Sequence, residues 1–155
     1  MNIFFLDYDT KKCAESHIDK HVVKMILEYA QLMSTAHRVL DGSENETLYK
    51  STHMNHPCGI WIREDKANYD YVYSLFLDLC DEYRVRYGKT HLTETKLKDL
   101  LLEAPRNMPD NGMTWPAQAM PEEYRSEDPV DAYRAYYKGS KAEIATWKTK
   151  QPEWW

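Results

Sequence analysis

Glycine, cysteine and long apolar runs are scarce in this chain, and each shortage excludes a class of protein. Five glycines among 155 residues leave no glycine-rich loop for nucleotide phosphates. Cys13, Cys58 and Cys80 are odd in number and lack a C-x-x-C spacing, which favours reduced thiols over a disulfide framework or a zinc site. No apolar run approaches the roughly 18 residues of a membrane span.

Positive charge is also in deficit, since the formal net charge is −5. Proteins that bind long duplexes usually carry a basic face, so this balance argues against extensive phosphate contact. Twelve tyrosines and five tryptophans offer rings that stack on bases, although we expect most of them to pack the core. The first residues, MNIFFLDYDTKK, lack the pattern of a signal peptide.

Helix signals recur along the chain and predict an all-α single domain over residues 1–155, with about four to six helices. Ser16 with Asp19 matches a capping pattern, Gly42 suits the left-handed position after a helix, and Thr93 is a further cap. The predicted elements are an extended arm or short strand at 2–6, a long central helix at 17–38, a helical turn from Pro57, a long helix at 66–87, a helix at 94–103, a long proline-rich loop at 104–126 and a last helix that starts at Pro129 and carries Trp147.

The central helix, HIDKHVVKMILEYAQLMSTAHR, combines a mainly apolar surface with a regular strip of polar side chains. At about 100° per residue, the polar residues fall within an arc roughly 100° wide. Val23 and Leu27 are expected to extend the buried apolar surface, as in a helix at the centre of a domain. Histidine, glutamine and threonine are uncommon choices for a solvated face, so we expect this polar strip to line the main concave pocket. The polar strip consists of His17, His21, Lys24, Glu28, Gln31, Thr35 and Arg38.

Two kinds of site receive little support from the strip. His17 and His21 have the i, i+4 spacing of metal ligands, but Lys24 would occupy the same position and no H-E-x-x-H glutamate lies between them. No motif supports a Ser/His/Asp or Cys/His triad. We therefore predict no metal and no cofactor.

Two segments, DKHVVKMILE and NHPCGIWIREDKANYDYVYSLFLDLCDEYRVRYGK, resemble uncharacterised small proteins of tailed phages. More distantly, the chain resembles pyrimidine-dimer DNA glycosylases of the endonuclease V type. That family carries a D-x-H in a central helix, a glutamate seven residues after the histidine, a second long helix and a Trp/Tyr-rich end. Here these positions are Asp19, His21 and Glu28. The order of elements agrees over most of the chain, while identities are few.

The resemblance implies a reaction in which an N-terminal α-amine attacks the sugar C1′ to form an imine, while the glutamate stabilises positive charge. An α-amine has a pKa near 8, so part of it is nucleophilic at neutral pH. The family exposes a small residue by removing the initiator methionine, whereas Asn2 is expected to leave Met1 in place. The catalytic candidates are therefore Glu28, His21 and one of two amines, that of Met1 or that of Lys24.

The resemblance and the acidic charge together predict a nucleotide or nucleobase ligand and a place in the cytoplasm of an infected bacterial host. They are compatible with a homodimer. Three functions remain open: cleavage of an N-glycosidic bond, binding without turnover that sequesters a nucleotide of host defence signalling, and inhibition of another protein through the aromatic surface. The ligand-binding candidates are Trp61 and Trp115 for stacking, His56, Arg63 and Arg38 for phosphate or base edges, Gln118 for reading a base, and His17 and Gln31 from the strip.

Overall fold

The computed structural model describes residues 2–155, and within them the regular structure is entirely helical. This confirms the predicted all-α fold. The α-helices are α1 (Thr10–Ser16), α2 (Asp19–Asp41), α3 (Pro57–Glu64), α4 (Lys66–Tyr87), α5 (Leu92–Leu97) and α6 (Pro129–Ser140), with short 3-10 turns at Glu122–Tyr124 and Ala142–Ile144.

The two long helices, α2 and α4, pack against each other, α1 packs on α4, and α3 packs on both long helices. Val22, Ile26 and Tyr29 of α2 are fully buried, as the apolar periodicity predicts. Val23 and Leu27 are each 38% exposed, so the prediction that they extend the buried surface is wrong. The buried apolar face of α2 is therefore narrower than expected.

Local signals place several helix ends correctly. Gly42 follows α2 with a φ of 63° and Gly88 follows α4 with a φ of 69°, the left-handed conformation that glycine adopts without a steric penalty. The predicted cap of α2 is wrong: Ile18 is the N-cap and contributes no side-chain hydrogen bond. The carboxylate of Asp19 instead accepts hydrogen bonds from Arg86 at 3.1 Å and from the backbone of Lys148 at 3.0 Å.

Three further elements differ from the prediction. Helix α1 was not expected, and α5 starts at Leu92 with His91 as its cap, because the His91 ring accepts the Thr93 backbone N–H at 3.1 Å. Helix α6 ends at Ser140, so Trp147 lies beyond it in an irregular C-terminal segment. The indole of Trp147 donates to the carbonyl of Ser16 at 3.0 Å, which fixes that segment against the start of α2.

The first described residues form a buried extended arm rather than a strand. The Ile3 backbone N–H points at the Cys58 sulfur of α3 at 3.4 Å, and the Phe4 N–H donates to the Tyr29 hydroxyl of α2 at 3.1 Å. The arm therefore runs between α2 and α3. No helix among residues 2–155 combines the length and the apolar character needed to cross a membrane.

Candidate functional site

The N-terminal end of the polar strip is used to hold the fold together. His17 is fully buried, and its Nδ1 lies 2.7 Å from the carbonyl oxygen of Cys13. A carbonyl only accepts, so Nδ1 carries the proton and Nε2 accepts from the Tyr29 hydroxyl at 3.0 Å. Burial lowers the pKa of His17 to about 4. Both ring nitrogens are thus occupied within the protein, which leaves the predicted ligand contact no free nitrogen.

The C-terminal end of the strip is also occupied. The guanidinium of Arg38 donates to four carbonyl oxygens of the loop after α2, at distances of 2.8 to 3.0 Å. Thr35 is buried, and its hydroxyl accepts the Thr52 backbone N–H at 3.1 Å. The loop would otherwise leave these carbonyls without a partner, so Arg38 organises the loop instead of facing a ligand.

His21 lies about one helical turn after His17, near the start of α2, and its ring is held in a single tautomer. Its Nδ1 lies 2.7 Å from the Tyr137 hydroxyl, which itself accepts the Ile18 backbone N–H at 3.4 Å. Since the phenol proton has no other acceptor among residues 2–155, we assign it to the bond with Nδ1, and the neutral ring then carries its own proton on Nε2. Phe4 stacks on the ring with centroids 4.4 Å apart. Burial, followed by the charges of neighbouring basic groups, lowers the pKa of His21 to about 3. His21 is thus a fixed neutral N–H donor.

The middle of the strip differs from both ends because its polar atoms are not fully paired. Glu28 has a side chain only 15% exposed, and its Oε2 is buried without a hydrogen-bond partner in the described chain. The ammonium of Lys24 lies 3.9 Å away, within ion-pair range but beyond hydrogen-bond range. Gln31 is half-buried on the same face. A carboxylate kept in this state has the capacity to accept hydrogen bonds from a ligand.

Helix α3 brings a second unpaired group to the same part of the molecule. A β-carbon at Gly59 would clash with the His53 carbonyl oxygen at 2.8 Å and would lie in ordinary contact, at 3.7 Å, with both Leu32 Cδ2 of α2 and Arg63 Nη1. That Nη1 is buried without a hydrogen-bond partner among the described residues, while Nη2 donates to the Met54 carbonyl at 2.6 Å. Leu32 lies one helical turn after Glu28, so we name the region that carries Glu28 and Arg63 the α2–α3 junction.

His56 stands at the α3 side of the junction as the N-cap of that helix. Its Nδ1 accepts the Cys58 backbone N–H at 3.1 Å, and burial lowers its pKa. The extended arm reaches the same junction, because Ile3 contacts Cys58 and Phe4 contacts Tyr29, the neighbour of Glu28. Met1, the predicted source of the amine, lies outside the described residues 2–155.

The remaining candidates do not join this site. Trp61 is a core residue that packs edge-on against Phe5 and donates to the Thr114 carbonyl at 3.1 Å. The amide of Gln118 is fully engaged with the Ser126 backbone, at 2.6 and 3.0 Å. Trp115 is 73% exposed and lies in a separate cavity that contains no residue of the junction.

Two surface cavities lie away from the strip. One, of about 540 Å³, is bounded by α1, α6 and the C-terminal segment, and the other, of about 530 Å³, contains Trp115. Neither is lined by a residue of the polar strip. The expectation that the whole strip lines the main concave pocket is therefore wrong, because its two ends are covered by the protein itself.

Sequence patterns missed two neighbours of His21, Phe4 and Tyr137, which orient its ring from distant parts of the chain. The apolar run NIFFL was the only signal for the first of them, and it did not indicate where the arm would pack.

Comparisons with protein-family models, with curated proteins and with solved structures gave no match.

Proposed function

We propose that the protein binds a nucleotide or nucleobase at the α2–α3 junction and cleaves its N-glycosidic bond with a carboxylate and an amine. The observation that carries this proposal is the Oε2 atom of Glu28, a mostly buried carboxylate oxygen without a hydrogen-bond partner in the described chain. Leaving such an atom unpaired costs stability, so the arrangement favours a ligand that completes it. The carboxylate would stabilise positive charge that develops on the sugar ring.

The neighbouring groups fit the same chemistry. His21 offers a neutral Nε2–H that can donate to a sugar or base oxygen without adding charge. Arg63 Nη1 provides an unpaired donor for a phosphate oxygen. The ammonium of Lys24 lies near Glu28 and is one candidate for the attacking amine; the amine of Met1 is the other.

A second candidate function is binding without turnover, in which the junction sequesters a signalling nucleotide of host defence. The unpaired Arg63 nitrogen favours a phosphate-bearing ligand whether or not a bond is cleaved. The formal net charge of −5 favours a small nucleotide over long DNA in both functions. The proposal includes a phage origin, which rests on the resemblance, and a place in the host cytoplasm, which rests on the resemblance together with the acidic charge; it is compatible with a homodimer.

Borohydride trapping separates the two functions. The protein is incubated with nucleotides, with ultraviolet-damaged DNA and with DNA that contains abasic sites, and borohydride reduces any imine to a stable adduct seen by mass spectrometry. An adduct supports the glycosylase function, and its absence together with saturable nucleotide binding supports sequestration. If neither an adduct nor nucleotide binding is found, both proposals fail.

The Glu28→Gln variant tests the carboxylate itself. It keeps the size of the side chain and removes the charge, so turnover should fall by about a hundredfold or more while the fold is retained. In the binding function, the same change should leave the affinity for a nucleotide unchanged or raise it, because a negative charge near the phosphates is removed. Glu44→Gln, at an exposed loop position, is the matched control and should change neither quantity.

Variants of the amine identify the nucleophile. If Lys24→Gln abolishes the trapped adduct, the amine of Lys24 forms the imine. If the adduct survives, peptide mapping should place it on the amine of Met1. An adduct on any other lysine would contradict the proposed site.

A further inference from the structure

The cavity that contains Trp115 is independent of the α2–α3 junction and has a different chemical character. Its volume is about 530 Å³, and its walls combine two exposed aromatic rings, a thioether and one carboxylate. The lining residues are Tyr8, Met113, Thr114, Trp115, Pro116 and Asp128. Leaving large apolar side chains exposed together to water is unfavourable in free energy, and such patches are typical of ligand-binding or protein-binding surfaces.

The backbone beneath Trp115 is firmly held. The buried side chain of Asn68 donates to the Thr114 hydroxyl at 2.8 Å and accepts the Thr114 backbone N–H at 3.1 Å. The indole of Trp61 donates to the Thr114 carbonyl at 3.1 Å. Three contacts from the core therefore fix the residue before Trp115, so its ring is presented at a defined position rather than on a free loop.

Asp128, the carboxylate in the cavity, has one oxygen that can accept a further hydrogen bond. Asp128 Oδ1 accepts the Tyr8 hydroxyl at 2.9 Å and the Val130 backbone N–H at 2.8 Å, which caps α6. Its Oδ2 makes no hydrogen bond within residues 2–155. Burial, then the hydrogen bond to Asp128 and the charges of Asp128 and Asp131, raise the pKa of Tyr8 to about 12.

From these contacts we infer that the cavity binds the guanidinium group of an arginine side chain on a partner protein. A guanidinium lies flat on an indole face, is weakly hydrated and can donate to the free Asp128 oxygen. The two carboxylates near Tyr8 provide charge complementarity for a cation and would repel the phosphates of a nucleotide. This binding site does not depend on the proposed reaction at the junction.

Titrations monitored by nuclear magnetic resonance test the inference on the full chain. The indole N–H signal of Trp115 is assigned from its loss in Trp115→Phe, and Nα-acetyl-arginine amide is added. The signal should shift with a dissociation constant on the order of 1 mM, as expected for a single cation on an exposed ring and carboxylate. Nα-acetyl-citrulline amide, which is neutral and nearly the same shape, should give no saturable shift.

A charge-neutral variant tests the role of Asp128. Asp128→Asn keeps an oxygen that caps α6 and accepts from Tyr8, yet removes the charge, so affinity for the arginine probe should fall about five- to tenfold. Glu143→Gln, an exposed change of the same net charge, should have no effect. Any one of four results would overturn the inference. The first two are that the arginine probe causes no shift, or that the citrulline probe binds equally well. The others are that Asp128→Asn has no effect on affinity, or that cytidine, added instead of the arginine probe, binds saturably.

Discussion

Arg86 and Arg63 both bring a guanidinium into the interior, and the difference between their surroundings separates two regions of the molecule. The Arg86 side chain is fully buried and donates to Glu82, to Asp19 and to two backbone carbonyls. Arg63 has one buried nitrogen without a partner in the described chain. Helix α4 thus meets α1 and the start of α2 through a completed network, whereas the α2–α3 junction is left incomplete.

The same contrast appears within the polar strip. His17 and Arg38, at its ends, have their polar atoms paired with the protein, while the Oε2 atom of Glu28 in the middle has no hydrogen-bond partner among residues 2–155. A folded chain normally pairs its buried polar groups, and the exceptions concentrate where a ligand is expected to complete them. The ends of the strip therefore contribute to stability, and the middle is the part that retains the capacity to bind a ligand.

The largest expected effect is on the completed network. Arg86→Ala leaves the Asp19 and Glu82 carboxylates without their cation, so the free energy of unfolding should fall by about 3 to 5 kcal/mol. Urea denaturation measures this. Arg125→Ala, which removes an exposed ion pair with Glu122, should cost less than about 1 kcal/mol. If the two variants lose the same unfolding free energy, the buried Arg86 network is no more important for stability than an exposed ion pair.

The two histidines that burial keeps neutral should make the free energy of unfolding depend on pH. Per pH unit, this change should be smaller than the loss caused by Arg86→Ala. Their pKa values in the folded protein, about 4 for His17 and about 3 for His21, lie below the ordinary value of 6.5. The unfolded chain therefore takes up more protons as the pH falls. The stabilisation is complete above pH 6.5 and declines below it, down to about pH 4 for His17 and about pH 3 for His21, by up to about 1.4 kcal/mol per pH unit for each histidine.

Urea denaturation at several pH values within that window measures the decline. In His21→Asn the amide oxygen can still accept from the Tyr137 hydroxyl, so the slope against pH should become shallower. His53→Gln removes an exposed histidine and should leave the slope unchanged. A slope that is the same in all three proteins would show that burial of His21 does not contribute.

The smallest effect on stability is expected at the incomplete junction. Glu28→Gln should change the free energy of unfolding by less than about 1 kcal/mol, because the buried Oε2 atom of Glu28 has no hydrogen-bond partner among residues 2–155 to lose. Glu82→Gln makes the same chemical change beside Arg86 and should cost about 1 to 3 kcal/mol. If Glu28→Gln is the more damaging of the two, Glu28 is a structural ion-pair partner and the junction is not an active site.

Much of the fold was predictable because its signals are local. Glycines in the left-handed conformation end α2 and α4, and Asp128 with Pro129 starts α6, so short patterns located these helix ends. The 3.6-residue period also placed His21 and Glu28 on one face of α2. These features need only a few neighbouring residues, and a sequence displays them directly.

The burial and the hydrogen-bond partners of each polar-strip residue were not predictable in the same way. A helical wheel gives the direction of His17 or Arg38, but it does not show that α1 covers the first or that a loop wraps round the second. The stacking of Phe4 on His21 and the ion pair between Asp19 and Arg86 join positions far apart in sequence. Such contacts depend on the packing of whole elements, which local patterns do not encode.

The hydrogen bond between His21 and Tyr137, 116 residues apart, also has a kinetic consequence. Helical proteins often fold quickly because their contacts are local, and long-range contacts slow the process, since a large loop must close first. During synthesis, the His21 side chain cannot reach its partner until the ribosome has released α6. We therefore expect the orientation of His21 to be among the last features that a growing chain acquires.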